Sequence, residues 1–445
     1  MLYDVLVVGS GIAGLSSAIE AKKAGLNVAV MIKGNPLRSN SSMASGGING
    51  VLYDDIDDSV NQHIEDTIKG ADGIGDRESV ERLCKNAKDD ILWLSSIGVE
   101  FDKDEKGRIS QRGFGGTSKK RTCYIQDKTG AAIVQTLIQK CNKMGIQCLK
   151  DYFLLNIIHD NDRVAGVTAL RKKDSEVVVV VAKSVILAGG GFAGIYRGYS
   201  SNPQDTCGDT IASAIRASIP LMDMEFVQFH PTGLKHSGAL ISEAARGEGG
   251  YLINSKNERF ISELATRDRV TRAIIEQFKN GCEVFLDIRH LGANIIDNKL
   301  PSLKRACVIS EGVDPVTELI PIRPVAHYTM GGIEINSLCE TKMKGLFACG
   351  ENGCNGLHGA NRLGGNSLLD ALVFGKIAGI NGTKYAKMNE FSKIDYKFVE
   401  KDVRRVEYIF DGENRYNINA LRKNLGNMMF DKVGVIRDEK GLIEG

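Results

Sequence analysis

The sequence predicts an α/β fold: a Rossmann-like domain interrupted by an inserted α+β capping domain and followed by a short C-terminal helical segment. Three observations carry that expectation. Residues 4 to 30 read DVLVVGSGIAGLSSAIEAKKAGLNVAV, an apolar strand, a glycine turn, a helix with small residues and a second strand, which is a βαβ unit. Strand-like runs return at VVVVVAKSVILAGGG and at GLFACGE, each ending in glycine. Between them, from about Leu221 to Ala326, the pattern is mixed and irregular, as an insertion would be. The boundaries read from these shifts are 1–219 and 327–387 for the two parts of the main domain, 220–326 for the cap and 388–445 for the helical tail.

In the first unit, Gly9, Gly11 and Gly14 fit GxGxxG between two strands and at the start of a helix. That spacing allows a tight turn, close approach of backbone to a pyrophosphate, and close packing of helix on sheet. The second strand ends in Met31-Ile32-Lys33, without the acidic residue that grips a ribose in a plain NAD site. Residues 38 to 50, RSNSSMASGGING, read as a small-residue loop able to lie along a flat ring, or as a flexible linker. Glu78 to Ile97 has helical spacing, with Val80, Leu83, Ala87, Ile91 and Leu94 on one face, and Gly130 to Cys141 is a second amphipathic helix. Gly189 to Gly191 offers another close backbone approach. Asp209 precedes a helical stretch and suits either a cofactor contact or an N-cap. Glu351, at a strand end, has the chemistry to hold a ribose diol, and the helix beginning at Asn366 could aim its N-terminus at a ring.

Composition narrows the function. The 445 residues can bury a large ligand, and 57 Lys plus Arg against 55 Asp plus Glu give no bulk attraction to nucleic acid or anionic membrane. Fifty glycines against eight prolines indicate tight turns and close approaches rather than disorder. The ten cysteines are dispersed with no CxxC, haem or zinc spacing, so no bound metal is expected and the thiols read as reduced. No apolar run approaches the roughly 20 residues of a membrane span.

The densest chemistry lies between Val227 and Val270: VQFHPTG, SEAARGEGG and ELATRDRV. Composition alone favours a solvated, salt-bridged surface there. Forked cations, neutral donors and glycine amides are also what a site for a small dicarboxylate needs.

Motifs in one order resolve that choice. GSGIAGL, SGGING, QFHPTG, EAARGEGG, TRD, HYTMGGI and HGANRLGGNSLLD resemble the flavoprotein subunits of fumarate reductase and succinate dehydrogenase, with L-aspartate oxidase as a close relative, over residues 3 to 435. The resemblance implies an FAD-dependent oxidoreductase acting on fumarate and succinate. It implies that Gly9, Gly11, Gly14, Lys33, Ser39, Gly47, Asp209, Glu351, Arg362, Ser367 and Leu368 hold FAD. His230, Ser242, His327 and Arg362 would meet the substrate carboxylates. Arg267 would give the proton to fumarate, fed by Glu243 and Arg246, while reduced flavin N5 delivers hydride. From the residues alone, Arg267 could instead pair with Asp268 or Asp287, and the two histidines could be ordinary buried imidazoles.

Departures from the family pattern refine the expectation. The histidine that carries flavin covalently in membrane-bound complexes is replaced by Asn40, so FAD is expected without a covalent link. Aspartate oxidase resembles TREGG where this chain reads RGFGG; Phe114 cannot pair with an ammonium but can pack on the carbons of fumarate. The alternative, L-aspartate oxidase making iminoaspartate for NAD biosynthesis, stays open on sequence, as does a flavin-binding subunit without activity. The family implies an iron-sulfur electron-transfer subunit as partner and a cytoplasmic chain, peripheral at the inner face of the membrane. The segment 388–445 is shorter than the family's C-terminal portion.

Overall fold

The computed structural model describes residues 1–412 and 416–445. The βαβ unit is present: strand Leu2–Val8, helix Ile12–Lys23 and strand Val28–Ile32. These strands lie in a seven-stranded sheet, where Leu2–Val8 sits between Val28–Ile32 and the long strand Glu176–Leu187, parallel to both. Gln147–Lys150 extends one side in parallel. Glu176–Leu187 changes partner along its length. Its first half pairs antiparallel with Arg163–Arg171, itself paired with Tyr152–Asp160, and its last residues pair parallel with Leu346–Ala348. The carboxyl ends of the parallel strands therefore gather at one edge, where ligands bind in open α/β sheets.

Helices Ile12–Lys23 and Asn366–Met388 cross backbone to backbone, and glycine makes this possible. A Cβ on Gly375 would lie 2.6 Å from Ala13 O, and one on Gly379 would lie 2.5 Å from Ser17 O. The Ser17 hydroxyl closes the contact by donating to Gly375 O at 2.7 Å. The predicted face of helix Arg77–Ser96 is also found, with Val80, Leu83, Ala87, Ile91 and Leu94 all fully buried. The small-residue loop contains one helical turn, Asn40–Met43, capped by Ser39, whose Oγ accepts from Ser42 N at 3.3 Å.

The chain leaves this body along strand Val227–Leu234 and returns along Ile320–Thr329, which pair antiparallel with each other. Beyond them, Val284–Asp287 and Tyr251–Asn254 complete a four-stranded sheet. Helices Arg267–Lys279, Gly292–Lys299 and Pro301–Glu311 accompany it. The capping body has its own hydrophobic core, from Leu234 to Ile322. Leu221–Met222 pairs instead with Gly332–Glu334, beside Gly353–Cys354. The mixture of one parallel-centred sheet and one antiparallel sheet with helices is the α/β body plus α+β cap that the pattern predicts.

After the long helix, Tyr396–Asp411, Ile418–Lys432 and Glu439–Glu444 are helical. From the second of these, Phe430 stacks on Tyr199 at 4.1 Å and meets Phe229 edge-on at 6.2 Å. The C-terminal segment is thus packed behind the strand that carries His230. Among the described residues, no helix is long and apolar enough to cross a membrane.

One ion triad is wholly inside. Arg121, with no exposed surface, donates to both oxygens of Asp58 at 2.8 Å and to Asp66 Oδ2 at 2.6 Å. Removing the cation leaves two buried carboxylates without a counter-charge, which typically costs about 3–5 kcal/mol. Arg121→Leu is expected to lower the unfolding free energy by about that much in urea titration. A loss under about 1 kcal/mol, the size of an exposed pair, would contradict the account.

Candidate active site

The polar cluster is built on strand Val227–Leu234. Alternation puts Gln228 and His230 on one side of the strand, and both are buried. Gln228, within QFHPTG, carries no charge to signal a role from sequence, and it proves central. Its Nε2 donates to Asn361 Oδ1 at 2.7 Å and to Arg362 O at 2.8 Å, which fixes the amide. Its Oε1 then accepts from Arg267 Nη1 and from Arg362 Nη2, each at 2.8 Å. One neutral oxygen holds two guanidiniums together. Its place two residues before His230, on the same strand face, is the signal that could have found it.

Arg267 is the first residue of helix Arg267–Lys279, where the positive end of the helix dipole disfavours a cation. It is held there by Glu243, whose Oε1 accepts from Arg267 Nε at 2.6 Å. It pairs with neither Asp268 nor Asp287; Asp287 is taken by Arg289 at 2.8 Å. Arg246 Nη2 lies 3.3 Å from the same Glu243 oxygen, and His230 Nε2 lies 3.9 Å from it. Burial would push the Glu243 carboxyl up, but Arg267 and Arg246 outweigh that and bring it down to about 2.

Three guanidiniums thus gather at one carboxylate, so the cations outnumber the anion they share. Arg362 Nε, Arg246 Nε and Glu243 Oε2 have no hydrogen-bond partner. Burial, and then Arg267, lower the Arg362 guanidinium to about 10.

Both histidines are neutral. Burial and then Arg267 hold His230 and His327 well below the ordinary imidazole value. Thr232 N donates to His230 Nδ1 at 3.3 Å, so the His230 proton resides on Nε2, available to an acceptor. His327 Nδ1 is 2.8 Å from Ser201 Oγ, and the two imidazole centroids are 5.4 Å apart. Ser242 is half-buried, and its Oγ accepts from Ala244 N at 3.3 Å. The Phe114 ring is wedged between glycines: a Cβ on Gly46 would be 2.4 Å from it and one on Gly364 2.7 Å. The next residue, Gly115, approaches the unpartnered Glu243 Oε2, which a Cβ there would meet at 2.4 Å.

Beside the cluster runs a long cavity at the carboxyl ends of the parallel strands. Of the residues expected to hold cofactor, Gly9, Gly11, Lys33, Ser39, Asp209, Glu351, Ser367 and Leu368 line it, and His327 joins it to the polar cluster. Gly14, Gly47 and Arg362 are not on its wall. A Cβ on Gly14 would be 2.1 Å from Gly9 O, and one on Gly47 would be 2.6 Å from Cys123 O, so both keep neighbouring backbone close. Arg362 belongs to the guanidinium cluster.

Asp209 is not a cap. Gly208, in left-handed conformation, holds that position, and Asp209 pairs with Lys33 across the cavity. Glu351 accepts from Thr329 N at 3.0 Å and lies 3.5 Å from Asn40 Nδ2. Burial pushes its carboxyl up to about 7.

A dinucleotide fits these walls. Backbone at Gly9 presses so near Ala188 that a Cβ would lie 2.1 Å from its oxygen, leaving the turn open at the N-terminus of helix Ile12–Lys23, as a pyrophosphate requires.

The charge balance sets a pH response. Glu243, depressed from 4.5 to about 2, contributes stability that is complete above 4.5 and is lost as pH falls toward 2. In thermal denaturation followed across that window, Glu243→Gln is expected to be less stable than wild type at neutral pH and to show a flatter acid limb. An acid limb as steep as wild type would contradict the ionised pairing.

Comparison with known proteins agrees with this geometry. A family model described as an FAD binding domain matches residues 4–368. The chain is 41% identical to the 8-methylmenaquinol:fumarate reductase flavoprotein subunit of Wolinella succinogenes, over 99% of this chain and 75% of that protein. It is 39% identical to the succinate dehydrogenase flavoprotein subunit of Rickettsia conorii, over 100% of this chain and 80% of that one. Among solved structures, a quinol-fumarate reductase with menaquinol molecules superimposes with TM-score 0.94 at 35% identity, covering 100% of this chain and 82% of that one. With a cavity fitted to a dinucleotide, a guanidinium cluster at its end and this similarity along its whole length, the chain belongs to the FAD-binding fumarate reductase and succinate dehydrogenase flavoprotein family.

Proposed function

We propose that the protein is an FAD-dependent oxidoreductase interconverting fumarate and succinate. The observation that carries this reading is the gathering of three guanidiniums at one carboxylate, two of them bound to Gln228, with unpartnered Nε atoms on Arg362 and Arg246. A ligand with two carboxylates answers those cations and their free donors; a neutral ligand does not. Full-length similarity to fumarate reductase and succinate dehydrogenase flavoprotein subunits supports the same substrate pair. Nothing favours aspartate: Glu243, the carboxylate of the cluster, is already held by two guanidiniums and is poorly placed to receive an ammonium.

In this reading Arg362 and the neutral His230 and His327, with Ser242, hold the two carboxylates, and Phe114 keeps its loop closed against Gly46 and Gly364. Gly9, Gly11, Lys33, Ser39, Asp209, Glu351, Ser367 and Leu368 hold FAD, with Gly14 and Gly47 keeping the surrounding backbone in place. FAD, when bound and reduced by two electrons, would supply hydride to one alkene carbon. Arg267 gives a proton to the other. A guanidinium is a weak acid, so it donates only as negative charge develops on carbon, in a closed site where its own charge stabilises that carbon. Once Arg267 is neutral, the strongest attraction holding Glu243 down is removed, and Glu243 becomes basic enough to pass a proton from Arg246 back to Arg267.

Asn40 has no nucleophilic atom for a flavin bond and is engaged with Asn202, which supports non-covalent FAD. The relatives are named as subunits, and we infer an electron-transfer partner of the iron-sulfur type at the inner face of the membrane.

Two outcomes are expected. With reduced viologen the protein turns over fumarate, and Arg267→Ala keeps its FAD while losing about a thousandfold in kcat. Substantial residual rate removes the proton-donor role, and aspartate turnover without fumarate turnover sinks the substrate reading. Acid precipitation of the yellow protein releases FAD into the supernatant; flavin remaining with the pellet would show a covalent bond.

A further inference from the structure

Behind Arg362 lies a polar trio that the proposed reaction does not use. Tyr328 comes from strand Ile320–Thr329, His358 from the loop after Gly353–Cys354, and Asp370 from helix Asn366–Met388. All three are buried. The Tyr328 hydroxyl donates to Asp370 Oδ2 at 3.1 Å, and His358 Nε2 lies 3.2 Å from the phenol oxygen and 3.4 Å from the same carboxylate oxygen. Burial, and then Asp370, hold the Tyr328 phenol well above its ordinary value, so it keeps the proton it donates. Burial likewise keeps His358 below its ordinary value and neutral. With one proton on Nε2, His358 donates toward the phenol and the carboxylate, and its Nδ1 is left without a partner.

An apolar trio would fill this space without desolvating a carboxylate, so the polar groups need a reason. The reason lies on the ring. The Arg362 guanidinium carbon is 4.5 Å from the Tyr328 ring centroid. In its own plane Arg362 donates to Gln228 Oε1 at 2.8 Å and to Leu363 O at 3.2 Å, and its Nε is unpartnered. A ring covers the face of the cation without competing for the in-plane donors, of which Nε is left for a carboxylate. The hydroxyl anchored by Asp370 and His358 fixes the ring's tilt, and a phenol that donates to a carboxylate presents a more electron-rich face.

We infer that Tyr328 is a positioning residue for Arg362, and that Asp370 and His358 lock its ring against the guanidinium so that dicarboxylate affinity is set from behind the site. The inference rests on the dicarboxylate reading given above. It assigns the trio a role in binding, separate from the proton path through Arg267.

The test uses the full FAD-loaded chain. Malonate, a dicarboxylate that accepts no hydride, is titrated against the flavin absorbance, and fumarate KM and kcat are measured alongside. Tyr328→Phe removes the anchor and keeps the ring; Asp370→Asn removes the charge and keeps the shape; Tyr328→Leu removes the ring. Malonate Kd and fumarate KM are expected to rise about threefold in the first two and about tenfold in the third, with a smaller change in kcat. A merely structural role would lower flavin content and melting temperature while the loaded fraction bound malonate as wild type does. If Tyr328→Phe and Asp370→Asn, loaded with FAD, keep the wild-type malonate Kd, the inference is overturned, even where Tyr328→Leu fails to fold. If wild-type flavin does not respond to malonate at all, the dicarboxylate reading fails and this inference with it.

Discussion

Two guanidiniums sharing one amide oxygen is the contact on which the candidate site depends. Like charges held this close in a buried place repel strongly, and nothing in the arrangement is stable unless the amide is fixed and an anion is near. Gln228 is fixed by its two donor bonds to the Asn361 and Arg362 loop, and Glu243 supplies one of the anions. The rest of the balance is left open. That incompleteness separates this cluster from the Arg121 triad, where two carboxylates answer one cation and the charges close within the protein. The first is arranged to receive something; the second is arranged to hold a fold.

The main sheet serves the same end by geometry. Parallel strands bring Gly9, Lys33, Gly189 and Glu351 to one edge from four stretches of chain. Where the cavity meets the polar cluster, His327 belongs to both. A hydride acceptor held against the cavity is therefore next to the guanidiniums without any further element.

Much of this was legible before any coordinates. The βαβ unit, its glycines and the buried face of helix Arg77–Ser96 follow from local periodicity, which the tertiary fold did not override. The partner of Arg267 is not legible from the residues alone, which leave Asp268 or Asp287 open; only the resemblance links it to Glu243, 24 residues away, which the fold supplies. Asp209 shows the same limit at short range, since Gly208 took the cap position and freed the carboxylate for Lys33. Gln228 was missed because an amide carries no charge to draw notice. Its meaning comes only from what converges on it.

The two crossing strands divide the site unequally. His230 and His327 are on the strands themselves, close to where the chain passes between the two bodies, and the aromatic stack of Phe430 on Tyr199 and Phe229 backs that region. Arg267, Glu243 and Arg246 come instead from cap helices and turns. The cluster is therefore drawn from both bodies at once, and the bonds from Arg267 to Gln228 at 2.8 Å and to Glu243 at 2.6 Å tie the crossing strand to the cap helices.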